Sequence, residues 1–385
     1  MTAGPRSGEP GPGLGRALQA LGEWRLAPVS RRPSQAWRTM EIEGFDQISL
    51  GTSFRPRQAE ELGLDPRMAL SRILSLPISV VRLGARWNRL EGEDGGFSAA
   101  DLDWQIEAAA RATKRVILAL GAVKNFGYPE FYVPAHRLQP PLVEGSLVTR
   151  ASHPDLSAAA CQHLARLVER YRDHPSIIAW QVEHEPYDPL GLEHSWRLGS
   201  DFVSEEVATV RALDPTRPVV ITAFVATSLP VLISQRLRTR GQGDSLRAAL
   251  DLGDAIGIDL YPRHALAAAG GLGAYLDGSH GAWPGAAPLT LTALRGRRLL
   301  VTEGQAEPWE SVTRPPSPLG RWPSSCPPEG VIRNYNLTVR WARRQGIDLH
   351  SYLFWGAEYW WRRYDDGDAS YLRAAERVLE RSPSK

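Results

Sequence analysis

Eight short runs rich in Val, Ile and Leu recur along this chain, separated by longer stretches of helical periodicity, and that alternation restricts the fold more than any other feature. The runs are QISLGTSF from Gln47, SVVRLGAR from Ser79, RVILALG from Arg115, SIIAWQVE from Ser176, PVVITAFV from Pro218, DAIGIDLY from Asp254, RRLLVTE from Arg297 and HSYLFWG from His350. Most are nearly continuous in apolar character, the pattern of parallel strands covered on both faces. Between them, apolar residues return at spacings of three and four. The clearest case passes through Ala160, Cys161, Leu164, Leu167, Val168 and Tyr171, with Asp155 or Ser157 as the expected cap. Helices are also predicted over 66–76, 99–113, 195–213, 329–345 and 370–379, with further helical segments near Leu229 and Ala287.

A chain of 385 residues could build one large domain or two ordinary ones. Eight strand–helix alternations fit a single α/β domain of the (β/α)8 TIM-barrel class over residues 39–385, with an open doubly wound sheet as the rival. Long non-helical segments follow the third, sixth and seventh strands, at 121–155, 262–284 and 304–326, and barrels place their active sites on such strand-exit loops. No GxGxxG follows the first strand and no GxxxxGK[ST] occurs, which removes the best support for a nucleotide-binding open sheet. Residues 1–38, rich in Gly and Pro at their start, read as a flexible extension in which ALQALGEW could form a short helix.

Other classes fall away on charge and chemistry. With 45 basic and 43 acidic residues the net charge is +2, so no field of one sign steers the protein to nucleic acid or to a membrane surface. The two cysteines, Cys161 and Cys326, are far apart and form no zinc-type cluster. His136, His153 and His264 show no metal-ligand spacing, so neither metal nor cofactor is expected. The first residues lack the apolar core of a secretory signal and no run is long enough to span a bilayer, giving a cytoplasmic expectation. Oligomeric state is not legible.

The strand exits carry the chemistry. The second strand delivers Arg82, then Arg86, Trp87 and Asn88, and the third leads to Lys124, Asn125, Phe126 and Tyr128. The fourth ends at Glu183, His184 and Glu185, the sixth at Asp259 and Tyr261, the seventh at Glu303, and the eighth at Trp355, Glu358 and Trp360. Carboxylates, a phenol, guanidinium groups and indoles on one rim suit cleavage of a glycosidic bond. An acetal offers no carbonyl to attack; its leaving oxygen needs a proton while positive charge grows at the anomeric carbon. Two carboxyl groups meet both needs, and in the retaining mechanism they stand about 5–5.5 Å apart.

At this point the residues reach a family resemblance. WQVEHEP resembles the strand-four W-x-x-x-N-E-P signature of clan A glycoside hydrolases, and LLVTEGQAEPW resembles their strand-seven nucleophile segment. Together with GTSFRPRQAEELGLDP, VVRLGARWNRLE and FWGAEYWW, these segments are similar to a group of bacterial proteins labelled cellulase-like or 1,4-β-xylanase-like, from about Gly51 to Trp361. The resemblance implies Glu185 as general acid/base, Glu303 as nucleophile, Tyr261 and Arg82 as partners of the nucleophile, and Trp355 as the sugar platform. It departs at His184, where the clan has Asn, whose amide donates to the sugar 2-hydroxyl. An imidazole can donate from either nitrogen, with altered reach and pH dependence.

Each residue has a plainer reading. Glu183 competes with Glu185, since in a strand they share a face; Glu307 in QAEPW competes with Glu303, or contacts substrate instead. Arg82 could serve a structural ion pair, and Tyr261 and Trp355 could be core aromatics. Trp87, Asn88, Trp309, Glu358, Trp360 and Trp361 are further substrate-binding candidates. The expected partner is an oligo- or polysaccharide or simpler glycoside. The rival functions are a catalytically impaired sugar-binding protein on the same barrel, a transglycosidase, and an aldolase or isomerase relying on Lys124.

Overall fold

A computed structural model of the protein describes residues 23–28, 35–44, 48–189, 194–240, 242–269, 271–289, 293–294, 296–312 and 324–380. Eight parallel strands close into a barrel: β1 Ser49–Ser53, β2 Val80–Gly84, β3 Arg115–Ala119, β4 Ile177–Gln181, β5 Val219–Phe224, β6 Ala255–Leu260, β7 Arg298–Gln305 and β8 Leu349–Trp355. Each neighbours the next in sequence, and β8 closes onto β1 through pairs such as Leu353 with Gly51. All eight expected strands are therefore present, although Gln47 lies outside the described residues. Helices cross between them at Pro66–Ser75, Ala100–Arg111, Pro154–Tyr171, Ser200–Leu213, Pro328–Gln345 and Ser370–Leu379.

Period-two alternation sorts the barrel interior into layers. Val80, Ile117, Ala179, Val220, Ala255, Leu300 and Leu353 form one buried apolar cluster, one residue from each of seven strands. Two residues further along their strands lie Arg82, Gln181, Thr222 and Thr302, all buried and polar. The lower barrel is thus a hydrophobic plug and the upper barrel a polar cup. A large shell of Leu, Ile, Val and aromatic side chains packs helices against the outer strand faces.

Local details depart from expectation where local chemistry outweighs pattern. The helix through Ala160 begins at Pro154 after His153, without a side-chain cap; Asp155 and Ser157 lie inside its first turn, and Ser157 Oγ donates to Glu205. The segment expected to be helical from Ser195 first forms a short strand, Arg197–Leu198, and the helix starts at Ser200. Within the anticipated N-terminal extension, Trp24–Pro28 is a strand paired antiparallel with Leu272–Asp277, which also pairs with Arg263–Ala269. Most of the ALQALGEW segment lies outside the described residues. The loop expected after β6 is consequently part of a three-stranded sheet beside the barrel mouth. No described helix is long and apolar enough to cross a membrane.

Candidate active site

β7 carries a register shift against both neighbours, between Val301 and Glu303 on the β6 side and between Val301 and Gly304 on the β8 side. A bulge breaks alternation, so two successive side chains can share a face. Thr302 bonds Asp259 Oδ1 from β6 at 2.7 Å, and Glu303 also turns into the barrel mouth. There both oxygens of Glu303 are held: Arg82 Nη2 donates to Oε1 at 2.6 Å and the Tyr261 hydroxyl donates to Oε2 at 2.5 Å. Gly304 completes the turn, because a Cβ there would meet the Tyr352 ring at 2.2 Å.

Arg82 is wholly buried and satisfied, donating also to Ser53 Oγ at 2.8 Å and Gln181 Oε1 at 3.2 Å, with its guanidinium 4.0 Å from the Phe126 ring centroid. Phe126 in turn meets Trp355 edge-on. Arg82, Tyr261, Trp355 and Glu303 are therefore one contiguous group.

The exit of β4 abandons strand geometry. Glu183 and Glu185 have φ of 55° and 44°, a left-handed conformation that non-glycine residues adopt at a cost of about 1–3 kcal/mol and that concentrates at functional sites. The strain separates two side chains that an extended strand would leave on one face. Glu183 accepts backbone N–H groups from Val123 at 2.9 Å and Lys124 at 2.6 Å, fastening the loop after β3. That close approach requires Gly121, where a Cβ would lie 2.9 Å from the Glu183 Cα. Lys124 Nζ donates to the carbonyls of Glu185 and Asp188, both at 2.8 Å, so it serves as a clamp on the Glu185 loop instead of a free amine.

His184 and Glu185 turn inward, where Thr222 from β5 meets both, its hydroxyl 3.0 Å from His184 Nδ1 and accepting Glu185 N–H at 3.3 Å. His184 Nε2 lies 3.7 Å from Glu303 Oε1. His184, Glu185 and Asp259 each offer one donor atom within 4.8 Å of the others, a set that could face a cation; His184 Nδ1 is already engaged with Thr222. Burial, reinforced by Arg82 and Lys124, holds the His184 pKa well below its ordinary value, so the imidazole is neutral at neutral pH.

Burial also lifts the Glu185 carboxyl well above the usual range, with the charges of Asp259, Glu130 and Asp188 adding to the shift. Asp259 is likewise lifted by burial and by Glu303, and its Oδ2 has no hydrogen-bond partner among the described residues. Glu130, from the loop after β3, is raised to about 7 by burial, opposed by Lys124 and assisted by Glu303. The mouth therefore combines a carboxylate held by an arginine and a phenol with neighbouring carboxyls whose pKa values burial raises.

Glu307 and Glu358 belong to a second buried network. Arg55, at the exit of β1, donates to Glu307 at 2.8 and 3.2 Å and to Glu358 at 3.0 and 2.7 Å, and stacks over Trp355 at 4.2 Å. Gly356, at φ 134°, leaves room for Glu307, whose Cβ a side chain there would meet at 2.6 Å. Arg55→Met would strand two buried carboxylates; a loss of about 3–5 kcal/mol is expected, read from the denaturant midpoint.

Other sequence candidates lie elsewhere. Trp87 is fully buried, donates to Glu91 and stacks on His163 at 5.0 Å. Trp360 is buried and donates to the Ala306 carbonyl at 2.8 Å. These two indoles fill the core between strand exits and helices and present no face for a sugar. Trp361 is partly buried under Arg72. Trp309 is 38% exposed on the loop after β7, and Asn88 lines a separate cavity beside Arg86. Arg55 and Glu130 were not singled out from sequence, and Asp259 was named at the exit of β6 without a role.

Behind Glu183, the helix residue Glu206 is fully buried, its pKa lifted by burial and by the charge of Glu183, while Glu183 itself is lifted by burial. A carboxyl whose pKa is higher folded than unfolded binds more protons in the folded state, so stability falls as pH rises from about 4.3 toward the raised value. Glu206→Gln is expected to flatten that decline, observable as a shallower drop in Tm between acidic and neutral pH.

Residues 124–241 match the model of the glycosyl hydrolases family 2 TIM barrel domain, a segment that includes Lys124, Glu183, His184, Glu185 and Glu206. No curated protein matches the sequence. Among solved structures, a cold-adapted β-galactosidase from Rahnella sp. R3 is similar at TM-score 0.54 and 14% identity, over 88% of this chain and 56% of that one. A β-galactosidase from Bacillus circulans sp. alkalophilus is similar at TM-score 0.53 and 14% identity, over 89% and 56% of the two chains. A GH5_18 protein from Streptomyces cattleya, solved in complex with Manb1-4GlcNAc, gives TM-score 0.50 and 14% identity over 80% and 70%. The chain thus spans little more than half the length of the two β-galactosidases, and at these identities the likeness is one of fold.

Proposed function

We propose that this clan A glycoside hydrolase-like barrel cleaves a β-linked glycoside by double displacement, with retention of anomeric configuration. The observation that carries the reading is the treatment of Glu303, whose two oxygens receive one hydrogen bond each from Arg82 and Tyr261 at the barrel mouth. A positive and a neutral donor fix the position and orientation of both carboxyl oxygens, as a nucleophile requires.

Glu185 supplies the complementary need. Its raised pKa keeps a proton available for the departing glycosidic oxygen. Attack by Glu303 on the anomeric carbon breaks the C–O bond as Glu185 gives up that proton, leaving a glycosyl ester on Glu303 and a Glu185 carboxylate. Water then enters, Glu185 takes one of its protons, and the hydroxyl adds to the anomeric carbon as the ester bond to Glu303 breaks. Both carboxyl groups end the cycle in their starting states.

His184 fits this scheme as a neutral donor. In the tautomer in which the Thr222 hydroxyl donates to Nδ1, the ring proton is on Nε2, beside Glu303. An N–H at that point can serve a sugar hydroxyl next to the anomeric carbon, and the low His184 pKa makes this role insensitive to pH near neutrality. The expected partner is a glycoside or oligosaccharide substrate, and the edge-on Trp355 and Phe126 rings back Arg82 behind Glu303.

The test is a panel of aryl β-glycosides followed by proton NMR during turnover. The β-anomer of the released sugar should form first and only later mutarotate; the α-anomer forming first would overturn the double displacement.

A further inference from the structure

Among the described residues Arg86, unlike Arg82 and Arg55, has no anionic partner. It lies beyond β2 and is 5% exposed, its Nε has no hydrogen-bond partner, and no carboxylate among the described residues pairs with it. The rings of Phe126 and Tyr132 flank its guanidinium at 5.5 and 5.4 Å. Aromatic faces offset part of the dehydration of a buried cation, but they leave its planar fork of N–H donors without an acceptor of opposite charge.

That side chain lines a cavity of about 230 Å3 at the exit of β2, bounded by the helices Pro56–Glu61 and Ala100–Arg111. Arg57, Arg67 and Arg89 also face the cavity, and Trp104 and Tyr132 supply aromatic wall. The acidic residues of the lining are already engaged. Glu60 stands 3.7 Å from Arg89, Asp65 accepts the Met68 N–H as a helix cap, and Asp101 accepts from the Trp104 indole. The space is small for a whole ligand, since pockets that enclose one run from roughly 300 Å3 upward, but it suits one substituent of a sugar unit.

The buried ring of Phe126 stands between it and the proposed site. Phe126 separates the two arginines, with Arg86 on one approach and Arg82, the partner of Glu303, 4.0 Å from the ring centroid. We propose that this cavity binds a sugar-borne oxyanion, the carboxylate of a uronate or a sulfate ester, and so selects an acidic saccharide for the mouth at Glu303. The inference rests on the glycosidase reading and gives that reading a substrate class. A guanidinium is the cation suited to the task, because its parallel N–H donors match both oxyanions in two-point contact.

The experiment is isothermal titration of the full chain with three β-linked disaccharides alike except at one C6 position: hydroxymethyl, carboxylate and sulfate ester. At least one charged form should bind about tenfold or more tightly than the neutral form, and the preferred charge identifies the source of the oxyanion. In Arg86→Gln the charged and neutral forms should bind alike, whereas Arg86→Lys should retain part of the preference. Equal affinities for all three forms in the unmodified chain overturn the proposal, as does a preference that survives Arg86→Gln. The first comparison needs no variant, so it decides even if Arg86→Gln does not fold. Turnover of neutral aryl glycosides without any charge preference would defeat this inference alone. A charge preference without turnover on any aryl glycoside would defeat the hydrolytic reading and leave the cavity assignment standing.

Discussion

Glu303→Gln is expected to lower kcat on every glycoside substrate by about 10⁴-fold or more, with aryl leaving groups giving no protection. The amide is nearly isosteric but is not a nucleophile, so the first covalent step loses its attacking atom. The loss should not depend on how easily the leaving group departs, because bond formation at the anomeric carbon is what has been removed. A structural consequence accompanies it. Arg82 is wholly buried and would lose its charged partner, so stability should also fall by up to about 3–5 kcal/mol. Measuring kcat well below the variant's own Tm separates the two effects. Residual activity within about tenfold of the parent would place the nucleophile elsewhere.

Glu185→Ala should show a different profile. Substrates whose leaving group needs a proton should slow by about 10²–10⁴-fold, while a dinitrophenyl glycoside, which departs as a stable anion, should form its glycosyl-enzyme nearly unimpeded. The second step then becomes limiting, because no base remains to take a proton from water. Azide, which needs no base, should restore turnover and yield a glycosyl azide of β configuration. The unmodified protein's alkaline limb should reflect Glu185 losing its proton. Since burial and the charges of Asp259, Glu130 and Asp188 raise that pKa, the limb belongs above the ordinary carboxylate range and should vanish in the alanine variant. A uniform loss across leaving groups, without azide rescue, would remove Glu185 from the acid/base role.

The barrel was legible because its strands are buried on both faces, and continuous apolar runs such as RVILALG and PVVITAFV record that burial directly. The strand Trp24–Pro28 was not, since WRLAP is short and its exposed Trp24 and Leu26 give no alternation that a lone five-residue segment could reveal. Glu185 and Glu303 were found by their place at strand exits, yet the means of their orientation was hidden. The left-handed φ at Glu183 and Glu185 has no glycine at its own position to announce it, and Gly304 beside the β7 bulge does not by itself reveal which neighbouring side chain turns inward.

Long-range ion pairing explains the other differences. Glu307 and Glu303 lie four positions apart and look equivalent in sequence; what distinguishes them is Arg55, 252 positions away from Glu307. Trp87 and Trp360 follow strand exits just as Trp355 does, and only the helices packed over them decide that they face the core. In the sequence His184 stood as a departure from the clan's Asn, with a donor role of altered reach. Its contacts with Thr222 and Glu303 make it a candidate replacement donor.

The most direct measurement is covalent trapping with activated 2-fluoro glycosides, neutral and uronate forms together, followed by peptide mass mapping. The 2-fluoro group slows both steps, and a good leaving group lets the first proceed, so the ester accumulates on the nucleophile. The account predicts a single modified residue, Glu303, with inactivation abolished in Glu303→Gln. A label on Glu307, Glu185 or Glu183, or time-dependent inactivation that persists in Glu303→Gln, would contradict it.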